Sequence, residues 1–159
     1  DDPYPIIEHM NAFVSRKERA DFEIFVQRES FNSEADTIKA LDFLKGCNYK
    51  SGICLNLPTP TESLTASIVE ASNVVLLMTV PMGAGGQGYS EEGSRRIALF
   101  SKSHSEKAIA VDGGMNPITI VEAQKAGAKV AIVGSFITRN RDPINAINEI
   151  CQSLENSDA

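Results

Sequence analysis

Apolar and polar positions follow two periods along this chain, one near 3.6 residues and one of short unbroken apolar runs, and they take turns. Ile6, Ile7, Met10, Phe13 and Val14 recur at helical spacing. They predict an amphipathic helix over about 5–16, after a turn at Asp1 to Pro5. A β-rich run over 22–26 predicts a strand that ends at Gln27-Arg28-Glu29. Ala35, Ile38, Leu41, Phe43 and Leu44 predict a helix that stops at Gly46. A strand over 52–57 is broken by Pro58-Thr59-Pro60-Thr61. Thr61 is placed to cap a helix through Val69, with Glu62 in its first turn.

The most apolar run, Val74-Val75-Leu76-Leu77-Met78-Thr79-Val80, stops at Pro81. A loop with Gly83, Gly85, Gly86 and Gly88 follows, then a helix over 91–101. A strand over 107–111 ends at Asp112-Gly113-Gly114. The next helix, 117–125, closes at Ala126-Gly127-Ala128 in the manner of a C-terminal glycine. The last strand, 130–133, ends at Gly134-Ser135, with a short helical piece after it. Asp142-Pro143 then opens a helix to about Leu154, Asp at the cap and Pro in the first turn. The order is one helix followed by five strand-helix units. Such alternation predicts an α/β fold with parallel pairing, and the continuous apolar strands predict cover on both faces. No composition break divides 1–159, so a single domain is expected.

Composition narrows the function more than the fold. The chain has 159 residues, 42% hydrophobic and 23% charged, enough for a substantial core. Its formal net charge is −6 and it has no lysine or arginine cluster. A nucleic-acid or membrane-surface partner is therefore not expected, and an anionic substrate must be held by local donors against an adverse overall field. Cys47, Cys54 and Cys151 have neither metal-ligand spacing nor an even number, which points to a reducing, cytoplasmic setting. No signal peptide or membrane-length apolar run is present. Residue 1 is Asp rather than Met, so the chain is expected to be a piece of a longer protein.

Candidate chemistry collects after the strands, as it does in α/β proteins. The glycine loop after Val80 can bring backbone N–H groups close to a phosphate, although a tight turn without a ligand accounts for several glycines nearly as well. Gly134-Ser135 can add N–H groups and a hydroxyl, or it is a plain strand-end turn. Asp112 ends an apolar strand before two glycines. It is either a carboxylate that binds a metal or shuttles a proton, or an Asp that caps its own turn, and spacing alone does not separate the two. His9 reads as a surface or helix-packing residue, and Gln27-Arg28-Glu29 reads equally well as a solvated loop start or as polar groups of a site at a strand end. No Ser/His/Asp triad, zinc pattern, P-loop or dinucleotide fingerprint appears.

Taken together, Met78-Thr79-Val80, Gly85-Gly86-Gln87, Val111-Asp112-Gly113-Gly114, Ala126-Gly127-Ala128, Val133-Gly134-Ser135 and Asp142-Pro143 resemble the ribulose-phosphate 3-epimerase family. Leu55-Asn56-Leu57-Pro58-Thr59-Pro60 is similar to that family's preceding strand and loop. The resemblance covers about residues 50–155. It implies a (β/α)8 barrel, here incomplete with five of the eight strands, and epimerisation beside the carbonyl of a ketose phosphate. It implies a divalent metal of the Zn, Fe, Mn or Co type, held in the family by two histidines and two aspartates. Asp112 matches one of those aspartates, as metal ligand and as acid/base. Gly83, Ala84, Gly85, Gly86, Gly113, Gly114, Gly134 and Ser135 match the substrate and phosphate loops, and Met78 matches a methionine beside the reacting carbons.

The departures are specific. Pro81, Met82 and Ala84 stand where the family commonly has Asn, Pro and Phe. Gln27 falls where His is common, with Glu29 retained. Neither His9 nor His104 sits at a matching position, and the first three strands have no counterpart. The expectations are therefore a chain inactive by itself, a sugar-phosphate ligand, and self-association through apolar open edges. Two alternatives stand beside them. One is another phosphate-binding barrel enzyme, a synthase or aldolase, which needs a strand-end Lys that is not evident. The other is a non-catalytic phosphosugar-binding protein.

Overall fold

The structure is a computed structural model that describes residues 3–157. Five strands alternate with helices: β1 (Glu23–Gln27), β2 (Lys50–Leu55), β3 (Val74–Met78), β4 (Ala108–Asp112) and β5 (Val130–Ile132). The helices are α1 (Tyr4–Asn11), α2 (Glu34–Gly46), α3 (Ala66–Ala71), α4 (Glu91–Ser103), α5 (Thr119–Ala126), α6 (Ser135–Thr138) and α7 (Pro143–Ser157). The strands form one parallel sheet in the order β1-β2-β3-β4-β5, with β1 and β5 at its ends. Among the described residues β1 and β5 do not pair with each other, as in an incomplete (β/α) barrel.

Contacts divide the chain into two compact units. One comprises the chain to Leu55 with Thr59–Leu76, the other Asn56–Pro58 with the chain from Leu77 onward. In the first unit β1 and β2 pair in parallel with Phe25 opposite Gly52 and Gln27 opposite Cys54. Leu41 and Leu44 of α2, Ile53 and Leu55 of β2 and Ile68 of α3 are fully buried there. Tyr4 of α1 meets Phe43 of α2 edge-on at 4.9 Å between ring centres.

Two local expectations are corrected in this unit. The first helix ends at Asn11, not near residue 16, and Phe13 is 76% exposed. Arg19 supplies the reason, because its guanidinium donates to the carbonyls of Asn11 (2.8 Å) and Val14 (2.9 Å) and draws the segment out of helical register. Asp1 and Asp2 of the expected N-terminal turn lie outside the described residues, while Tyr4 and Pro5 are already helical. The other correction concerns the helix after Pro60. Thr61 opens a single 3-10 turn, Thr61–Ser63. The capping residue is Thr65, whose Oγ1 accepts from the Ile68 N–H at 3.4 Å.

In the second unit Ile97 and Phe100 of α4, Ile109 and Val111 of β4, Ile120 and Ala123 of α5 and Ala146 of α7 are buried. β4 and β5 pair in parallel, Ala110 with Val130 and Asp112 with Ile132. Gly127 ends α5 in the left-handed region at φ 114°. Asp142 caps α7 through its Oδ1, which accepts from the Asn145 N–H at 3.0 Å. On β5 at the sheet end, Val130 and Ile132 are 46% and 39% exposed, so this edge does present apolar surface.

Gly52 shows how tightly β1 and β2 pack. A Cβ built there would lie 2.5 Å from Cε1 of Phe25, whereas at Gly46 nothing lies within 4 Å. Gly52→Ala must therefore displace the Phe25 ring and should cost about 1–3 kcal/mol, the usual range for overpacking. Gly46→Ala should be neutral or stabilise by up to about 1 kcal/mol, through lost freedom of the unfolded chain. Urea unfolding of both variants checks the contrast, and equal midpoints would mean that Phe25 is not held over Gly52.

Candidate functional site

β3 runs into Thr79, which is fully buried. Its N–H donates to the Asp112 carbonyl at 2.8 Å, and its hydroxyl lies within bonding distance of the same oxygen (2.9 Å) and of the Gly113 carbonyl. The ends of β3 and β4 are thereby fastened together where both strands give way to loops. Gly93 of α4 packs on this point, since a Cβ there would lie 3.0 Å from the Thr79 side chain. Gly113 (φ 118°) and Gly114 (φ 65°) are left-handed and leave no room for a side chain. A Cβ at Gly113 would meet Val80 Cγ2 at 2.5 Å, and one at Gly114 would meet the Tyr89 Cα at 2.7 Å. The Asp-Gly-Gly sequence is thus a packing requirement that leaves the Asp112 side chain as the only one of the three.

The glycine loop is shaped from outside. Asn56 Oδ1 accepts from the Met82 N–H at 2.9 Å. Asn56 and Leu57 are held in turn by buried Arg96 of α4, whose Nη1 donates to their carbonyls at 3.1 and 2.6 Å. Gln87 closes the loop, its Nε2 donating to the carbonyls of Pro81 (2.7 Å) and Ala84 (2.8 Å).

These loops enclose a cleft of about 290 Å³. Met78, Gly83, Ala84, Gly85, Gly86, Asp112, Gly113, Gly114, Gly134 and Ser135 all line it, so the residues matched to the family's catalytic, substrate and phosphate positions meet in one place. Val80, Pro81, Met82, Gln87, Met115 and Ile132 complete the wall. Asp112 is the one titratable side chain among the lining residues. The N–H groups of Gly85, Gly86, Gly114, Gly134 and Ser135 have no hydrogen-bond partner among the described residues. A cavity walled by unspent N–H donors suits an anion or a polar ligand.

Asp112 is half-buried, and desolvation holds its pKa above the ordinary carboxylate value, with the Gly113 N–H opposing weakly. Among the described residues no three His, Cys, Asp or Glu side chains gather to hold a metal. Asp112 alone does not fit a metal site. The histidines are occupied elsewhere. His104 stacks on Phe100 at 4.3 Å, and His9 meets Phe13 edge-on at 5.0 Å. Gln27 lines a different, mainly apolar groove in the first unit.

The sequence pattern of the ribulose-phosphate 3 epimerase family matches residues 6–138. The chain belongs to that family. The family's cytoplasmic-isoform ribulose-phosphate 3-epimerase from Oryza sativa subsp. japonica is 35% identical over 139 residues, 86% of this chain and 58% of the rice protein. Ribulose-phosphate 3-epimerase from Helicobacter pylori (strain ATCC 700392 / 26695) is 32% identical, over 73% of this chain and 56% of its own. This chain thus spans just over half the length of these epimerases. Among solved structures, orotidine 5'-monophosphate decarboxylase from Sulfolobus solfataricus superposes with a TM-score of 0.68 at 13% identity, over 100% of this chain and 71% of that one. At that identity the likeness concerns the fold. Within the described residues no helix is long and apolar enough to cross a membrane.

Three features of the cleft had no role assigned from sequence: the Gln87 closure, the Arg96–Asn56 brace, and the enclosure by Met82 and Met115. Asn56 and Gln87 stand inside the family-like motifs, so their presence was legible. Their partners were not.

The raised pKa of Asp112 gives a signed prediction for stability. Because ionisation is disfavoured in the fold, the contribution of Asp112 is fully present below the unfolded pKa of about 3.9. It declines as pH rises until the folded value is passed. Asp112→Asn removes that decline, so the variant should gain stability relative to the parent as pH rises through this window. Urea midpoints measured at intervals from pH 4 to 7 check it. A difference that stays constant with pH would show that the carboxylate is not desolvated.

Proposed function

We propose that this chain carries the phosphate loops and one acid/base carboxylate of a ketose-phosphate 3-epimerase site, of the type that interconverts ribulose 5-phosphate and xylulose 5-phosphate. The observation that carries the reading is the convergence of Asp112 with the donor-lined loops in one cleft. In this reading the unpaired N–H groups of Gly85, Gly86, Gly114, Gly134 and Ser135 hold the substrate's phosphate. The phosphate fixes the sugar so that the carbon beside its carbonyl comes within reach of Asp112. Met78 and Met115 pack the carbon chain and keep water from the reacting face.

Asp112 then takes or returns one proton at that carbon. A carboxylate with an upward-shifted pKa is suited to the task, since it accepts a proton more readily and holds it nearer neutral pH. Inversion requires a second group on the opposite face, and no other titratable side chain lines the cleft. In the family's chemistry a divalent metal polarises the carbonyl, but the described residues do not make a metal site. The chain by itself is accordingly proposed to bind sugar phosphate without inverting it. The same single-carboxylate observation supports the second reading, a phosphosugar-binding protein without turnover.

Solvent deuterium incorporation into ribulose 5-phosphate separates the readings. The chain alone should give no exchange. A chimera completed with the part of the rice relative that lies outside the match, supplied with divalent metal, should exchange. Asp112→Asn in that chimera should lower the rate by at least about 10²–10⁴-fold, the usual worth of a general acid or base. An active chimera indifferent to Asp112→Asn would return Asp112 to the role of a turn residue.

A further inference from the structure

We infer that Arg139 is the charge partner of the phosphate group bound by these loops, and so selects phosphorylated ligands over neutral sugars. The inference rests on the phosphate-loop reading of the cleft and adds to it a side chain that no motif marks.

The electrostatics of the cleft demand a cation. Its only titratable wall residue is acidic, and the chain carries a formal net charge of −6. Backbone N–H groups alone would hold a dianion against that field. A second recess of about 220 Å³ adjoins the cleft and shares Gly86, Gln87, Gly114, Met115 and Ser135 with it. Arg139 lines this recess, and it is the one cationic side chain that lines either space.

Its guanidinium is placed by the loop itself. A Cβ at Gly86 would lie 2.5 Å from Nη1 and 3.0 Å from Cζ of Arg139, so the absence of a side chain there is what lets the guanidinium rest against the loop backbone. Gly86 also has φ 77°, a conformation that disfavours any replacement. Arg139 follows α6 directly, so the same short turn that begins at Ser135 delivers the guanidinium beside it. Yet Arg139 makes no ion pair and no side-chain hydrogen bond with any described residue. A planar donor fork, exposed, unspent and held against a loop of unpaired N–H groups, matches the bidentate recognition of a phosphate.

The test uses inorganic phosphate as the probe and the chain as it stands, followed by amide and arginine Nε–H NMR. In the parent, phosphate should move the amides of Gly86, Gly114 and Ser135 together with the Arg139 Nε–H. The last signal would not respond if Arg139 were merely structural. Arg139→Gln should leave the free spectrum intact beyond its neighbours and raise the phosphate Kd about tenfold or more, as loss of a charge-assisted contact does. Arg139→Lys, which keeps the charge without the fork, should fall between. If Arg139→Gln binds phosphate with the parent's Kd while the loop amides still shift, the assignment of Arg139 fails and the phosphate loops stand. If phosphate leaves the loop amides unmoved in the parent, the phosphate-loop reading fails and takes this inference with it.

Discussion

The N–H of Thr79 donates to the carbonyl of Asp112, its hydroxyl lies within bonding distance of that carbonyl and of the Gly113 carbonyl, and the cleft is built outward from that tie. Thr79 is fully buried, so both bonds form away from competing water, where an unmet carbonyl would be costly. The tie fixes the relative register of β3 and β4 at the point where each strand ends. With the backbone of Asp112 immobilised, its side chain has only its own torsions left to vary. Gly93 brings α4 against Thr79, and Gly113 lets Val80 close over the strand end. Each neighbour depends on Thr79 staying where it is, so one buried threonine sets the position of the carboxylate.

The carboxylate stands in an environment that does not favour its charge. Its burial opposes ionisation, and no lysine or arginine lines the cleft to offset that cost. A fold optimised for stability alone would place an asparagine or an apolar residue there. The Gly113 N–H offsets only part of that cost. Apart from Gln87 and Ser135, the rest of the cleft wall is apolar or backbone, with three methionines whose unbranched thioethers adapt to the shape of what they enclose.

Strand order, parallel pairing and the gathering of the glycine loops around Asp112 were all legible in the sequence. They follow from local periodicity and from the rule that α/β sites form where strands end. Legibility failed wherever a contact is set by the folded chain and not by a local pattern of residues. Arg96 reaches carbonyls 39 and 40 residues earlier, and no pattern in either segment announces the match. Arg19 shortens α1 by capturing carbonyls that helical spacing alone would leave inside the helix. Thr61 and Thr65 are equally good caps by composition. The extended backbone at Pro60 and the 3-10 turn after it pass the role to Thr65. Arg139 escaped notice for the same reason, since its meeting with Gly86 is set by the fold and lies outside every motif.

The loop after β3 takes its form from two amide side chains at its margins. Asn56 grips the backbone at Met82, and Gln87 spans from Pro81 to Ala84. Neither bond uses the side chains of residues 82–84. The outline of the loop is therefore written in its frame, and what hangs from the frame is free to differ. Pro81, Met82 and Ala84 line the cleft beside Gly83, Gly85 and Gly86, and their side chains take no part in that frame. Such a segment behaves as an interchangeable facing on a fixed mount: a lineage can resurface the mouth of its cleft, and so change what the cleft admits, without rebuilding the walls behind it.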